Sequence, residues 1–157
     1  VDLFPNDLKF AVEDAVAGLL SQNPNITLPV HVGLDREDVE LAHIVIVAFE
    51  AKASEEGLLP GNWDIAVRVK IVSEVDQEGV SIRDEHRKRV REVEMELVAR
   101  EGADIEIEKE LHQRIQEHSD EVLPQGSIYA SITDKIEDRF WITELNFMLY
   151  HCIVKTA

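Results

Sequence analysis

The sequence predicts an α+β fold: a mostly antiparallel sheet of about five strands containing a long β-hairpin, with helices packed on one face. Three observations carry this. Apolar residues recur at helical spacing near the start and in the middle of the chain. Elsewhere the apolar period drops to two, the mark of strands with one buried face. The order is helix, three strands, one or two helices, then two strands, which suits helices gathered on one side of a sheet.

The first helix is expected from Asn6 to Ser21. Leu8, Val12, Ala15, Val16 and Leu19 form its apolar stripe, Asn6 is the expected N-cap and Pro24 the stop. Val30, Val32 and Leu34 alternate with His31 and Gly33 in a short strand, and Pro29 favours an edge or a strand start. From His43 to Ser54 a second strand carries the apolar run Ile44 to Phe49, which needs cover on both faces. In the third strand, Trp63, Ile65, Val67, Val69 and Ile71 share one face, while Asp64, Ala66, Arg68 and Lys70 share the other.

The second and third strands form the long hairpin. Each arm is ~12 residues, or ~40 Å. That is about the diameter of a compact domain of this length. Its tip, with Leu58 and Leu59, is expected to project and to dock on a partner or neighbouring subunit, or else to fold back on the domain.

The second helix is expected from Ser81 to Glu101, with Gly102 as its stop. Ser81 and Asp84 resemble a capping box. Ile82, His86, Val90, Val93 and Leu97 form the apolar stripe, with His86 read as a core histidine. Arg83, Arg87 and Arg91 stack like charges at four-residue spacing, which is unfavourable unless acid lies opposite. They are either solvated beside flanking acids or turned toward acidic groups of another segment or subunit. From Glu101 to Glu121 there are eight acids and two bases. Ile107, Leu111 and Ile115 support a short helix there, although Ile105 and Ile107 fit a strand start equally well.

The chain ends in two strands. Ile128, Ala130, Ile132 and Ile136 are expected on one face of the first, with Asp134 interrupting it. A turn near Glu137-Asp138-Arg139 leads to the second, Phe140 to Lys155. There Leu145, Phe147, Leu149 and Ile153 face away from Glu144, Asn146, Met148 and Tyr150.

Composition narrows the function. The 157 residues hold 16 Lys and Arg against 32 Asp and Glu, a formal net charge of −16. A single domain spanning 1–157 is the expectation. One cysteine, Cys152, excludes a disulfide framework or a cysteine zinc site, and its place in an alternating strand reads as a buried thiol. No apolar run approaches the ~20 residues of a membrane helix. The start carries no basic or apolar leader pattern. So acidic a chain is ill-suited to clamping DNA or anionic lipid.

Signals of catalysis are sparse. The six histidines, His31, His43, His86, His112, His118 and His151, show no recognised metal spacing. The seven glycines form no phosphate-cradling loop, and there is no Gly-x-Ser-x-Gly elbow. Neither an enzyme nor a cofactor is expected. A pair of carboxylates assembled from distant segments stays open as an active site.

Two stretches, together with the element order, carry a resemblance. One runs Gly61-Asn62-Trp63-Asp64-Ile65-Ala66-Val67-Arg68-Val69-Lys70 and then Ser81-Ile82-Arg83-Asp84-Glu85-His86-Arg87-Lys88-Arg89-Val90. The other is the closing Arg139-Phe140-Trp141-Ile142-Thr143-Glu144-Leu145-Asn146-Phe147. Together they resemble the bacteriophage tail-terminator or tail-completion proteins, among the head–tail joining (neck) proteins, over roughly Asp7 to Val154. The resemblance is one of pattern and order. The acidic stretch Asp104 to Glu121 departs from it.

The resemblance implies a structural virion protein, assembled in the host cytoplasm, without cofactor or catalysis. It implies a homo-oligomeric ring, commonly a hexamer, that ends tail-tube polymerisation. The tail tube protein and the head-completion or connector protein would be its partners, and DNA would pass through the channel without specific binding. Leu58, Leu59, Arg83, Arg87, Arg91, Glu106 and Glu110 are the interface candidates, with the arginine stripe set against the acidic segment of a neighbour. The alternatives are another connector or tube component of similar fold, or a small acidic α+β enzyme or ligand-binding domain.

Overall fold

The computed structural model describes residues 4–33, 41–54, 62–75, 81–100, 107–108 and 111–154. In chain order the elements are α1 (Pro5–Ser21), β1 (Val30–Val32), β2 (His43–Ala53), β3 (Trp63–Glu74), α2 (Ser81–Leu97), β4 (Ala99–Arg100), β5 (Ile107–Glu108), α3 (Leu111–His118), β6 (Val122–Leu123), β7 (Gly126–Glu137) and β8 (Phe140–Val154). The fold is α+β, as expected. The sheet order is β1-β2-β3-β8, and β7 and β6 follow one another along the far edge of β8. β1 runs parallel to β2, and the other pairings are antiparallel. β4 and β5 pair separately.

The period-two faces build the core. Ile46, Val69 and Leu145 stand opposite one another across three strands, and Ala48, Val67 and Phe147 form the next row. Leu8, Val12, Ala15, Val16 and Leu19 of α1 join them, with Val93 and Leu97 of α2 and Leu111 and Ile115 of α3. The opposite face is a polar lattice. Arg68 Nε donates to Asn146 Oδ1 at 3.1 Å and stands 3.7 Å from Glu144, which also pairs with Lys135 at 3.7 Å.

Helix ends differ from expectation. Phe4, not Asn6, is the N-cap of α1. Pro5 occupies the first helical position, where no N–H is needed. The Asp7 carboxylate reaches back to accept the Phe4 N–H at 2.9 Å. α2 ends at Leu97 rather than Glu101, because Val98 is drawn into the core and Ala99–Arg100 become β4. Gly102 lies outside the described residues, as does the 55–61 tip of the β2–β3 hairpin with Leu58 and Leu59.

Three β-bulges re-phase the strands. In β2 the register shifts between Ala48 and Glu50, which leaves Phe49 outward with the Arg68 guanidinium 4.7 Å from its ring. The apolar run is therefore not covered along its whole length. In β8 the shift falls between Leu149 and Cys152, so Cys152 is buried where Ile153 was expected. In β7 it falls between Tyr129 and Ser131. Tyr129 turns inward and stacks on Phe147 at 4.5 Å. Ile128 faces Met148, on the opposite side from Ile132 and Ile136. The expectation that Ile128 shares a face with them is corrected.

Two of these bulges are closed by buried acids. Glu13 of α1 accepts the Ala48 N–H at 3.0 Å. Asp64 accepts the His151 N–H at 3.1 Å and the Ser54 hydroxyl at 2.8 Å. His151 has φ 52, a left-handed conformation that a non-glycine residue adopts only when its surroundings hold it. Burial pushes the Glu13 carboxyl above the usual carboxylate range, and the Ala48 hydrogen bond partly opposes that rise. Glu13→Ala leaves the buried Ala48 N–H unsatisfied and is expected to cost ~1–3 kcal/mol in urea unfolding at pH 7. Glu13→Gln keeps a carbonyl acceptor and is expected to cost less in the same measurement.

Candidate functional site

α2 sets its apolar stripe on the sheet through a polar residue. His86 is buried, and its ring stacks on Trp141 with centroids 5.1 Å apart. Its Nδ1 lies 2.6 Å from Ser73 Oγ, and its Nε2 lies 2.7 Å from Thr143 Oγ1. Arg89 Nη1 donates to Ser73 Oγ at 3.0 Å, and the Thr143 hydroxyl donates to Asp134 Oδ1.

The Asp134 end fixes the proton on His86 Nε2, and burial of the ring settles the Nδ1 side. The Arg89 cation can only donate and the Asp134 carboxylate only accepts. The Ser73 hydroxyl accepts from Arg89 and, with burial keeping the ring neutral, gives its own proton to His86 Nδ1. The Thr143 hydroxyl, donating to Asp134, accepts from His86 Nε2–H. The imidazole is neutral in the Nε2–H tautomer, with both nitrogens used. Burial lowers the His86 pKa, Asp134 acts to raise it and Arg89 adds to the lowering. Thr143 separates His86 from Asp134, and Ser73 is fully buried. The chain therefore fastens α2 to β3, β8 and β7 rather than exposing a nucleophile.

Beside this chain an open groove of about 430 Å³ separates α2 from β7. Arg83, Arg87, Val90 and Arg91 form one wall, and Ile132, Asp134 and Trp141 line the other side. α2 runs antiparallel to β7. Glu94 receives the Tyr129 hydroxyl at 3.2 Å near one end, and His86 reaches Asp134 through Thr143 at the other. Arg83, Arg87 and Arg91 are exposed and make no ion pair among the described residues. Their neighbours differ: Arg89 lies 3.7 Å from Glu85, and Arg114 binds Glu96 at 2.7 Å.

Among the described residues β8 is the one strand that β7 pairs with. Ile132 and Ile136 are 51% and 68% exposed on the groove side. Of the interface candidates, the three arginines are thus brought together along one groove. Leu58, Leu59, Glu106 and Glu110 lie outside the described residues. Sequence reading missed Ser73, Thr143 and Asp134 as partners of His86, because 13 and 57 residues separate His86 from its two hydroxyls and no local pattern links them.

The Cys152 thiol is pushed up to about 12 by burial first and by Asp64 second, so it is an inert core group as expected. Among the described residues no group of three or more His, Cys, Asp or Glu is arranged to hold a metal ion. Among them, no helix is long and apolar enough to cross a membrane.

No protein-family model matches the sequence, and no curated protein matches it. Solved structures do share its fold. One is a chain of the virion of a native gene transfer agent (GTA) particle, with a TM-score of 0.57 and 12% sequence identity. The match covers 91% of this chain and 96% of that one.

A neutral His86 gives a pH dependence of defined sign. The unfolded chain takes up the proton near pH 6.5, and the folded chain resists it to lower pH. Stability from this group is full above pH 6.5 and is lost as pH falls toward the lower folded pKa. In urea unfolding at pH 7, 6 and 5, His86→Gln is expected to be less stable at pH 7 and to lose less between pH 7 and 5 than the parent.

Proposed function

We propose that the chain is a structural subunit of a phage-like particle, and specifically a tail-terminator-like neck protein. In this reading it forms a ring, six subunits being the expected number. The ring ends the tail tube and presents a face to the head connector, and no catalysis is part of the role. The observation that carries the reading is the fold shared with a chain of a gene transfer agent virion over nearly the whole length of both chains. The order and pattern of residues 61–70, 81–90 and 139–147 support the narrower assignment.

Physical features are compatible with a closed ring. A ring uses two different patches on each subunit, so asymmetric charge suits it. Here three guanidiniums, with no ion pair among the described residues, line one groove of a chain carrying −16. An acidic lumen would also repel DNA phosphate and let it slide.

Light scattering with negative-stain imaging of the same fraction tests this. Closed rings of about six 17.8 kDa subunits are the expected result. A monomer over a wide concentration range that also fails to bind tail-tube ends would overturn it. Arg87→Glu is expected to weaken assembly, with the largest effect at low salt, where surface charges are least screened.

A further inference from the structure

Two exposed surfaces of the chain are complementary in charge and in shape. The first is the outward side of α1. Its inward residues are buried in the core, while Asp7, Phe10 and Asp14 follow one another at intervals of three and four and so share one face. Asp14 is exposed, and Phe10 is 51% exposed. One oxygen of Asp7 accepts the Phe4 N–H. Neither carboxylate makes an ion pair among the described residues. An aromatic ring held in water between two acids is a contact surface in want of a cationic, apolar partner.

The second surface is the groove between α2 and β7. Arg83, Arg87 and Arg91 are exposed along one wall, and Ile132 and Trp141 line the other side. The acids already in the groove are engaged with hydroxyls: Asp134 takes that of Thr143 and Glu94 that of Tyr129. The dimensions agree with α1. Seven helical residues separate Asp7 from Asp14, or ~10.5 Å, and eight separate Arg83 from Arg91, or ~12 Å. The difference of ~1.5 Å is within reach of flexible arginine stems. Arg87, midway, then meets Phe10, and a guanidinium favours an aromatic face. A cavity of ~150 Å³ already holds a benzene ring. The groove, at about 430 Å³, has room for the phenyl group.

Both surfaces are exposed in the same folded chain, so only a second copy brings them together. We infer that α1 of one copy docks in the α2–β7 groove of the next. Phe10 seats against Ile132 and Trp141, and Asp7 and Asp14 face Arg83 and Arg91. The contact is head-to-tail, because each copy offers one stripe and one groove. The inference rests on the ring reading for its biological setting, and its test separates the two.

The test mixes two full-length variants. One carries Arg83→Glu with Arg91→Glu and keeps its α1 stripe. The other carries Phe10→Ser with Asp14→Arg and keeps its groove. Urea midpoints close to the parent's confirm that both fold, since every altered side chain except that of Phe10 is fully outward and Phe10 is half exposed. By sedimentation each variant alone is expected to stay monomeric. The equimolar mixture is expected to form a dimer and no larger species, at least tenfold tighter than either variant with itself, and weaker at high salt. With Phe10→Cys in one copy and Ile132→Cys in another, a short bismaleimide is expected to join the two. No dimer in the mixture at millimolar chain, or self-association of either variant as strong as the parent's, overturns the docking. Failure of the Phe10→Cys and Ile132→Cys pair to cross-link within a dimer does so as well. A mixture that dimerises, from a parent that closes no rings and ignores tube ends, upholds the docking and removes the ring. Rings that form unchanged from the Phe10→Ser, Asp14→Arg variant remove the docking and keep the ring.

Discussion

The molecule depends on a strand that is paired along both edges. β8 holds β3 on one side and the succession of β6 and β7 on the other, so it is the seam between two halves of the chain. Every inward residue from Leu145 to Leu149 has neighbours from both directions. Thr143 sits on the same strand and couples the seam to α2 through His86. Removing backbone pairing here would free the β6–β7 edge and loosen the helix layer together, which is why polar groups are tolerated in so central a place.

Those polar groups share a logic. Glu13, Asp64 and His86 each bind where regular geometry fails or where a helix must be set at one position. Glu13 and Asp64 close bulges, and His86 fixes α2. Hydrophobic contact alone is non-directional and would let a helix slide. A chain of hydrogen bonds running from Arg89 to Asp134 accepts one placement.

Much of the fold was legible from period and spacing. The face Trp63 to Ile71 and the stripe Leu8 to Leu19 needed only local patterning, since burial follows directly from it. The bulges were not legible, because one extra residue inverts the faces beyond it without leaving a compositional mark. Ile128 and Ile153 were misassigned for that reason. The arginine stripe was visible from its four-residue spacing. Its groove was not, because Ile132, Asp134 and Trp141 arrive from strands about 50 residues further on. The buried partners of His86 were hidden in the same way.

The place of β7 at the margin of the sheet among the described residues also bears on rates. Copies carrying −16 repel one another before their edges can meet, so encounter is slow at low ionic strength. Backbone pairing is short-ranged and demands alignment. The long-range term therefore discourages casual sticking, while the short-range term rewards a correct approach. A molecule built this way discourages random edge-to-edge contact between copies. Its association is then controlled by whatever lowers the barrier: counterions, or a surface that holds several copies in register at once.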